Sequence, residues 1–116
     1  MSRLYSQKWR QTSVGAAGAA LTKTQTCTTP QQLVVLFASV SVEDAAVTTE
    51  TNVTLEDSAG TVYARWVFKA AAAEGSEVGG NLVGGVLIPP GLSALLVATA
   101  PGGSTKLDST LAGDWA

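Results

Sequence analysis

Thr51-Asn52-Val53-Thr54-Leu55-Glu56-Asp57-Ser58-Ala59-Gly60-Thr61-Val62-Tyr63-Ala64-Arg65-Trp66-Val67-Phe68-Lys69 is the stretch that decides the fold. Val47, Thr49, Thr51, Val53 and Leu55 alternate with Thr48, Glu50, Asn52, Thr54 and Glu56. A period of two with β-branched enrichment predicts a half-exposed strand. Asp57-Ser58-Ala59-Gly60 predicts a hairpin turn, with Gly60 supplying the positive φ such turns need. Beyond it, Val62, Ala64, Trp66 and Phe68 are expected to face the core, and Tyr63, Arg65, Val67 and Lys69 to face away.

The same rhythm extends in both directions. Upstream, Val34, Leu36, Ala38, Val40 and Val42 are read as one face of a strand, and Leu33, Val35, Phe37, Ser39 and Ser41 as the other. A first half that is apolar on both faces predicts a central strand. Downstream, Asn81 to Ile88 reads as a strand with a Gly84-Gly85 bulge or kink. Pro89-Pro90-Gly91 is a turn, Leu92 to Thr99 a strand, Pro101-Gly102-Gly103-Ser104 another turn, and Thr105 to Trp115 the last strand. Ala70 to Glu74 has room for one helical turn before Gly75. Short strands and regular turns predict an all-β protein. The expected architecture is an antiparallel β-sandwich, jelly-roll or Ig-like, of about six to eight strands.

Charge divides the chain differently. Arg3, Lys8, Arg10 and Lys23 precede the first acid, Glu43, and later acids outnumber Arg65, Lys69 and Lys106. Residues 1–31 show no sustained hydrophobic period and include the low-complexity run Val14-Gly15-Ala16-Ala17-Gly18-Ala19-Ala20. They are read as an extended basic N-terminal arm, with residues 32–116 as the sandwich. Arg3, Leu4, Tyr5, Lys8, Trp9 and Arg10 are the expected protein-interface residues of the arm, joined by Trp115 near the other end. Trp66 and Phe68 are assigned to the core.

Composition excludes several classes. The 116 residues are 46% hydrophobic and 14% charged, too apolar for a disordered chain. A net charge of −2 argues against a dedicated nucleic-acid binder. Leu4 to Ala20 is broken by Ser6, Gln7, Lys8, Arg10 and Gln11, so no secretion signal is read there. The longest apolar runs, Leu33 to Ala38 and Ala94 to Ala98, are strand-length, and no membrane partner is expected. Without a secretion signal, the Asn52-Val53-Thr54 sequon is read as accidental.

The chemistry is sparse. There is no histidine, and Cys27 is the single cysteine, so neither an intrachain disulfide nor a Cys-cluster metal site is expected. Cys27 is read as an inert packed or interfacial thiol. The carboxylate pairs Glu43/Asp44 and Glu56/Asp57 are read as solvated acids beside turns. Gly79-Gly80-Asn81-Leu82-Val83-Gly84-Gly85 lacks the Lys-Ser/Thr ending of a phosphate loop. No enzyme, catalytic residue, metal or cofactor is expected.

The layout of Thr51 to Val62, with Val86-Leu87-Ile88-Pro89-Pro90-Gly91-Leu92 and the small-residue final strands, resembles small β-sandwich virion proteins of tailed bacteriophages. That resemblance covers residues 32–115 and includes capsid decoration (cement) proteins, head fibres and small tail components. It implies a homo-oligomer, a trimer favoured, on the major capsid protein or another virion protein, located in the virion after assembly in the host cytoplasm. A tail, baseplate or head–tail connector component is the alternative within that class. A carbohydrate-binding or adhesive module is the alternative outside it, with Tyr63 and Trp115 as its candidate aromatics.

Overall fold

The structure is a computed structural model that describes residues 8–116. Its strands are β1 (Trp9–Val14), β2 (Leu21–Gln25), β3 (Leu33–Glu43), β4 (Thr51–Asp57), β5 (Val62–Phe68), β6 (Glu77–Leu87), β7 (Ala94–Ala98) and β8 (Lys106–Trp115). They form two four-stranded antiparallel sheets, one ordered β1-β8-β3-β6 and the other β2-β7-β4-β5. The pairing is nested: β4 with β5, β3 with β6, β2 with β7 and β1 with β8, like one long hairpin folded over itself. Contacts of β3 with β8 and β4 with β7 close the two sheets.

The hairpin expected around Asp57 to Gly60 is present, with Gly60 at φ 93. Thr51, Val53 and Leu55 point inward from β4, as the alternation predicts, and Asp57, expected as a solvated acid, is turned inward with them. β7 sends Ala94, Leu96 and Ala98 into the core, and β8 sends Leu107, Ser109 and Leu111. The turn expected at Ala70 to Glu74 is not helical. Ala71 adopts φ 72, and its N–H donates to the Val47 carbonyl while the Val47 N–H donates to Ala72, so this loop pairs with another.

Two bulges change the faces read from periodicity. Against β8, Val35 pairs with Gly113 and Phe37 with Ala112, leaving Leu36 as one extra residue. The inward set on β3 is therefore Leu33, Val35, Ala38, Val40 and Val42, with Val34, Phe37, Ser39 and Ser41 turned outward. A constant period of two would have put Val34 with Val40. On the opposite edge of β3, residues 82–85 of β6 stand against Leu36 alone, the bulge expected at Gly84-Gly85. Gly85 permits close approach there, since an added Cβ would come within 2.6 Å of Val34 Cγ2. The second bulge is in β5, where Leu55 pairs with Ala64 and Glu56 with Val62. Tyr63 is the extra residue and packs against the core, whereas Val62 is exposed.

Residues 9–25, expected as part of an extended arm, instead supply one edge strand to each sheet. β1 alternates Trp9, Gln11 and Ser13 inward with Arg10, Thr12 and Val14 outward, and β2 alternates Leu21, Lys23 and Gln25 inward with Thr22 and Thr24 outward. The period of two was present, but most inward positions are polar, so no hydrophobic period marked it. Those polar groups bond one another: Gln11 Nε2 donates to Gln25 Oε1 at 2.9 Å across the sheets, and Ser109 Oγ donates to the Ser13 carbonyl at 3.3 Å.

Trp9 closes this edge. Its indole is 7% exposed, donates from Nε1 to the Asp114 carbonyl at 3.0 Å and lies over Gly113. A Cβ on Gly113 would meet Trp9 Cζ2 at 2.6 Å and strike the Val34 carbonyl. Glycine is required here by space rather than by φ. Trp9→Ala should lower stability by about 3–5 kcal/mol, as for other buried large-to-small changes. Gly113→Ala should destabilise in the same direction. Urea unfolding measures both, and a Trp9→Ala midpoint equal to that of the parent would show that Trp9 is not part of the core.

Candidate interaction surface

The residues expected at an interface separate once they are placed in the fold. Arg3, Leu4 and Tyr5 lie outside the described residues. Lys8 is exposed, and its backbone N–H donates to the carbonyl of Gly113, the residue that also stands opposite Trp9. Arg10 stands exposed on the outer face of the first sheet, in register with Ala112. Trp9 is occupied by the chain's own core, and Trp115 is half-buried and packs against that core. Tyr63 also packs inward, with its hydroxyl committed to Asp57.

A different set of side chains is presented to the outside. Among the described residues, the large apolar ones left exposed are Val14 (60%), Val62, Val67, Val83 (100%) and Leu87 (56%). All five lie on edge strands: Val14 on β1, Val62 and Val67 on β5, Val83 and Leu87 on β6. β5 and β6 are neighbouring edges of the two sheets, so one flank of the sandwich carries four of them. Sequence reading missed Val62 because the bulge at Tyr63 reverses its face. Val83 was legible only as part of a glycine-rich bulge, and its full exposure follows from standing at the crest of residues 82–85.

One carboxylate departs from expectation. Glu56 is half-buried, but Asp57 is only 2% exposed and is no solvated acid. Asp57 Oδ1 accepts from the Ala59 N–H at 2.8 Å and the Thr61 N–H at 3.1 Å, and Oδ2 accepts from the Tyr63 hydroxyl at 2.6 Å. The Tyr63 hydrogen bond, with those backbone N–H groups, holds the Asp57 carboxyl below its usual range against the opposing effect of burial. Burial first, then the adjacent carboxylate, pushes the Tyr63 phenol up to about 12. The turn is tied onward through Ser58, whose N–H donates to the Ser93 carbonyl and whose Oγ accepts from the Ser93 N–H. Ser93 Oγ in turn accepts from the Cys27 N–H at 3.1 Å.

The other singled-out groups have local partners. Asp44 meets Lys106 at 3.2 Å, Ser41 Oγ donates to Glu43, and the buried Cys27 thiol donates to the Gln31 carbonyl. Among the described residues no three acidic or cysteine side chains converge as a metal-binding group. Comparison with protein-family models, with curated proteins and with solved structures finds no match to this chain.

The Asp57–Tyr63 pair predicts a two-sided pH dependence. Asp57 titrates lower folded than unfolded, so its stabilisation is present above its unfolded value and is lost as pH falls through the folded one. Tyr63 titrates higher folded than unfolded, so its stabilisation is present below about 10 and is lost as pH rises towards about 12. In Tyr63→Phe, thermal unfolding should show a lower melting temperature at neutral pH. The variant should also lack the Tyr63 contribution to alkaline destabilisation. A pH profile parallel to the parent's above pH 10 would remove the pair from this role.

Proposed function

We propose that this chain is a non-enzymatic structural protein of a tailed-bacteriophage particle, a decoration or cement protein that docks as a homo-oligomer on the assembled head and stabilises it. The observation that carries the reading is the set of aliphatic side chains standing exposed on three edge strands, in a chain with only 14% charged residues. Edges are where β-proteins ordinarily place charge to avoid association. Exposed apolar residues there suit a surface that meets protein.

We read the two sheets as a jelly roll, because the orders β1-β8-β3-β6 and β2-β7-β4-β5 follow from its nested pairing. Viral capsid domains use that fold, as do lectins, so the fold supports the reading without fixing it. Docking would stabilise the shell by mass action, since binding only the assembled state shifts the equilibrium towards it. The segment offered to the shell is shorter than residues 1–31, because residues 9–25 belong to the sandwich. Arg3, Leu4, Tyr5 and Lys8 remain its candidate contacts, with Val83 and Leu87 on the flank.

Quantitative mass spectrometry of purified particles from the source should find this chain in copy number comparable to the major shell protein. A few copies per particle would make it a tail or connector part, and absence from particles would discard the virion reading. Deleting residues 1–7 should weaken docking and leave unfolding unchanged. Deletion through residue 20 would remove β1 and unfold the edge, so it cannot serve as the test.

A further inference from the structure

We propose that the outer face of the second sheet is where two copies of this chain meet, packed face to face about a two-fold axis that crosses its strands. The inference goes beyond the virion reading and stands without it, because it concerns the chain in isolation.

The register of the second sheet lays out that face. One row runs Thr24-Leu95-Glu56-Val62 across β2, β7, β4 and β5, and the next runs Thr22-Val97-Thr54-Arg65. Alternation turns these side chains outward, since Leu55, Leu96 and Ala98 between them fill the core. Val67 continues the face opposite Asn52. Val62 and Val67 are 37% and 40% exposed, and Leu95 and Val97 are half-buried. Aliphatic side chains and threonines thus stand together on the side of the sheet away from the core.

The two sheets differ in outward charge. Glu43, Glu77, Lys106 and Asp108 all lie on the outer face of the first sheet. On the strands of the second sheet, the outward charges are Glu56 and Arg65 alone. Glu50 and Lys69, just past the ends of β4 and β5, close on each other at 3.2 Å. Aliphatic surface depleted of charge is the composition of a homodimer interface. β1, with which the described chain begins, belongs to the other sheet and takes no part.

The placement of the two charges selects a second copy as the occupant. Glu56 and Arg65 stand one strand and one row apart. A two-fold axis between the rows, running across the strands, sets each row over the other row of the second copy. Leu95 then covers Val97, and Glu56 covers Thr54, as in the aligned packing of two sheets. Arg65 of each copy lies over Val62 of the other and one strand, about 4.8 Å, from its Glu56. The guanidinium reaches that carboxylate, its stem covers the exposed valine, and symmetry makes the contact twice. Both groups are available for it. Among the described residues Arg65 has no hydrogen bond or ion pair, and Glu56 accepts only from the Thr54 hydroxyl, at 3.0 Å on Oε2. An unrelated partner would have to bring a matched pair of its own, whereas this face supplies both halves.

Light scattering of the full chain on a sizing column, at about 0.1 mM, tests the pairing. The expected mass is twice that of the 11.8 kDa chain. Arg65→Glu and Glu56→Arg each set like charges against one another and should weaken the dimer about tenfold or more, with unchanged far-ultraviolet circular dichroism. Combining the two substitutions returns opposite charges across the axis and should restore the dimer, which a role in folding alone would not do. Should one single variant fail to fold, the other and the combined variant decide. A wild type with the mass of one chain or of three overturns the proposal. So does a dimer indifferent to both reversals, one that the combined variant leaves dissociated, or one lost on deleting residues 1–7.

Discussion

Nested antiparallel pairing about a single central turn is the constraint on which the rest of this structure depends. The Asp57–Gly60 turn sets the register of β4 with β5, and every other pair is wrapped around that one, out to β1 with β8. Asp57 fixes the turn chemically, its carboxylate accepting from the backbone on the far side and from Tyr63. An acid at that position costs desolvation. Its three donors offset the cost only with the chain turned in this one way. The Ser58–Ser93–Cys27 bonds carry the same end of the sandwich across to β7 and to the loop before β3.

Packing imposes a second constraint where the pairing is imperfect. β3 lies between β8 and β6 and supplies Leu33, Val35, Ala38, Val40 and Val42 to the core, which a regular strand of this sequence would split between its faces. The extra residue at Leu36 reunites them. It also forces Val34 outward, where β6 answers with a glycine-containing bulge lying against Val34 and Leu36. Aliphatic burial is worth about 1.5–3 kcal/mol per large side chain, far more than the ladder bond a bulge disturbs. The bulges are thus where side-chain burial overrides backbone regularity, and Val62 and Val83 are left exposed as a consequence.

The edges then divide by what they can accept. Irregular backbone at β6, a bulge at β5 and an inward lysine at β2 each oppose strand addition. β1 is regular because its inward face is fixed by Trp9 over Gly113 and by the Gln11 and Ser13 bonds, so it needs no glycine or bulge to fit.

By itself the sequence determined the all-β class, the central hairpin and its turn, most strand positions after residue 31 and the inward residues Thr51, Val53 and Leu55 of β4. Those are consequences of local alternation and turn chemistry, which act within a few residues. Which face Val34, Val62 and Tyr63 take was decided only in the tertiary structure, because a bulge inserts one residue and reverses every later side chain. The edge strands before residue 26 were equally hidden. Apart from Trp9 and Leu21, their inward positions are filled by glutamine, serine and lysine, and these become interior only when β7 and β8, some 70 to 100 residues away, supply the partners. The burial of Asp57 and the exposure of the edge aliphatics belong to the same category. Each is a property of the assembled sheets, and no local pattern encodes it.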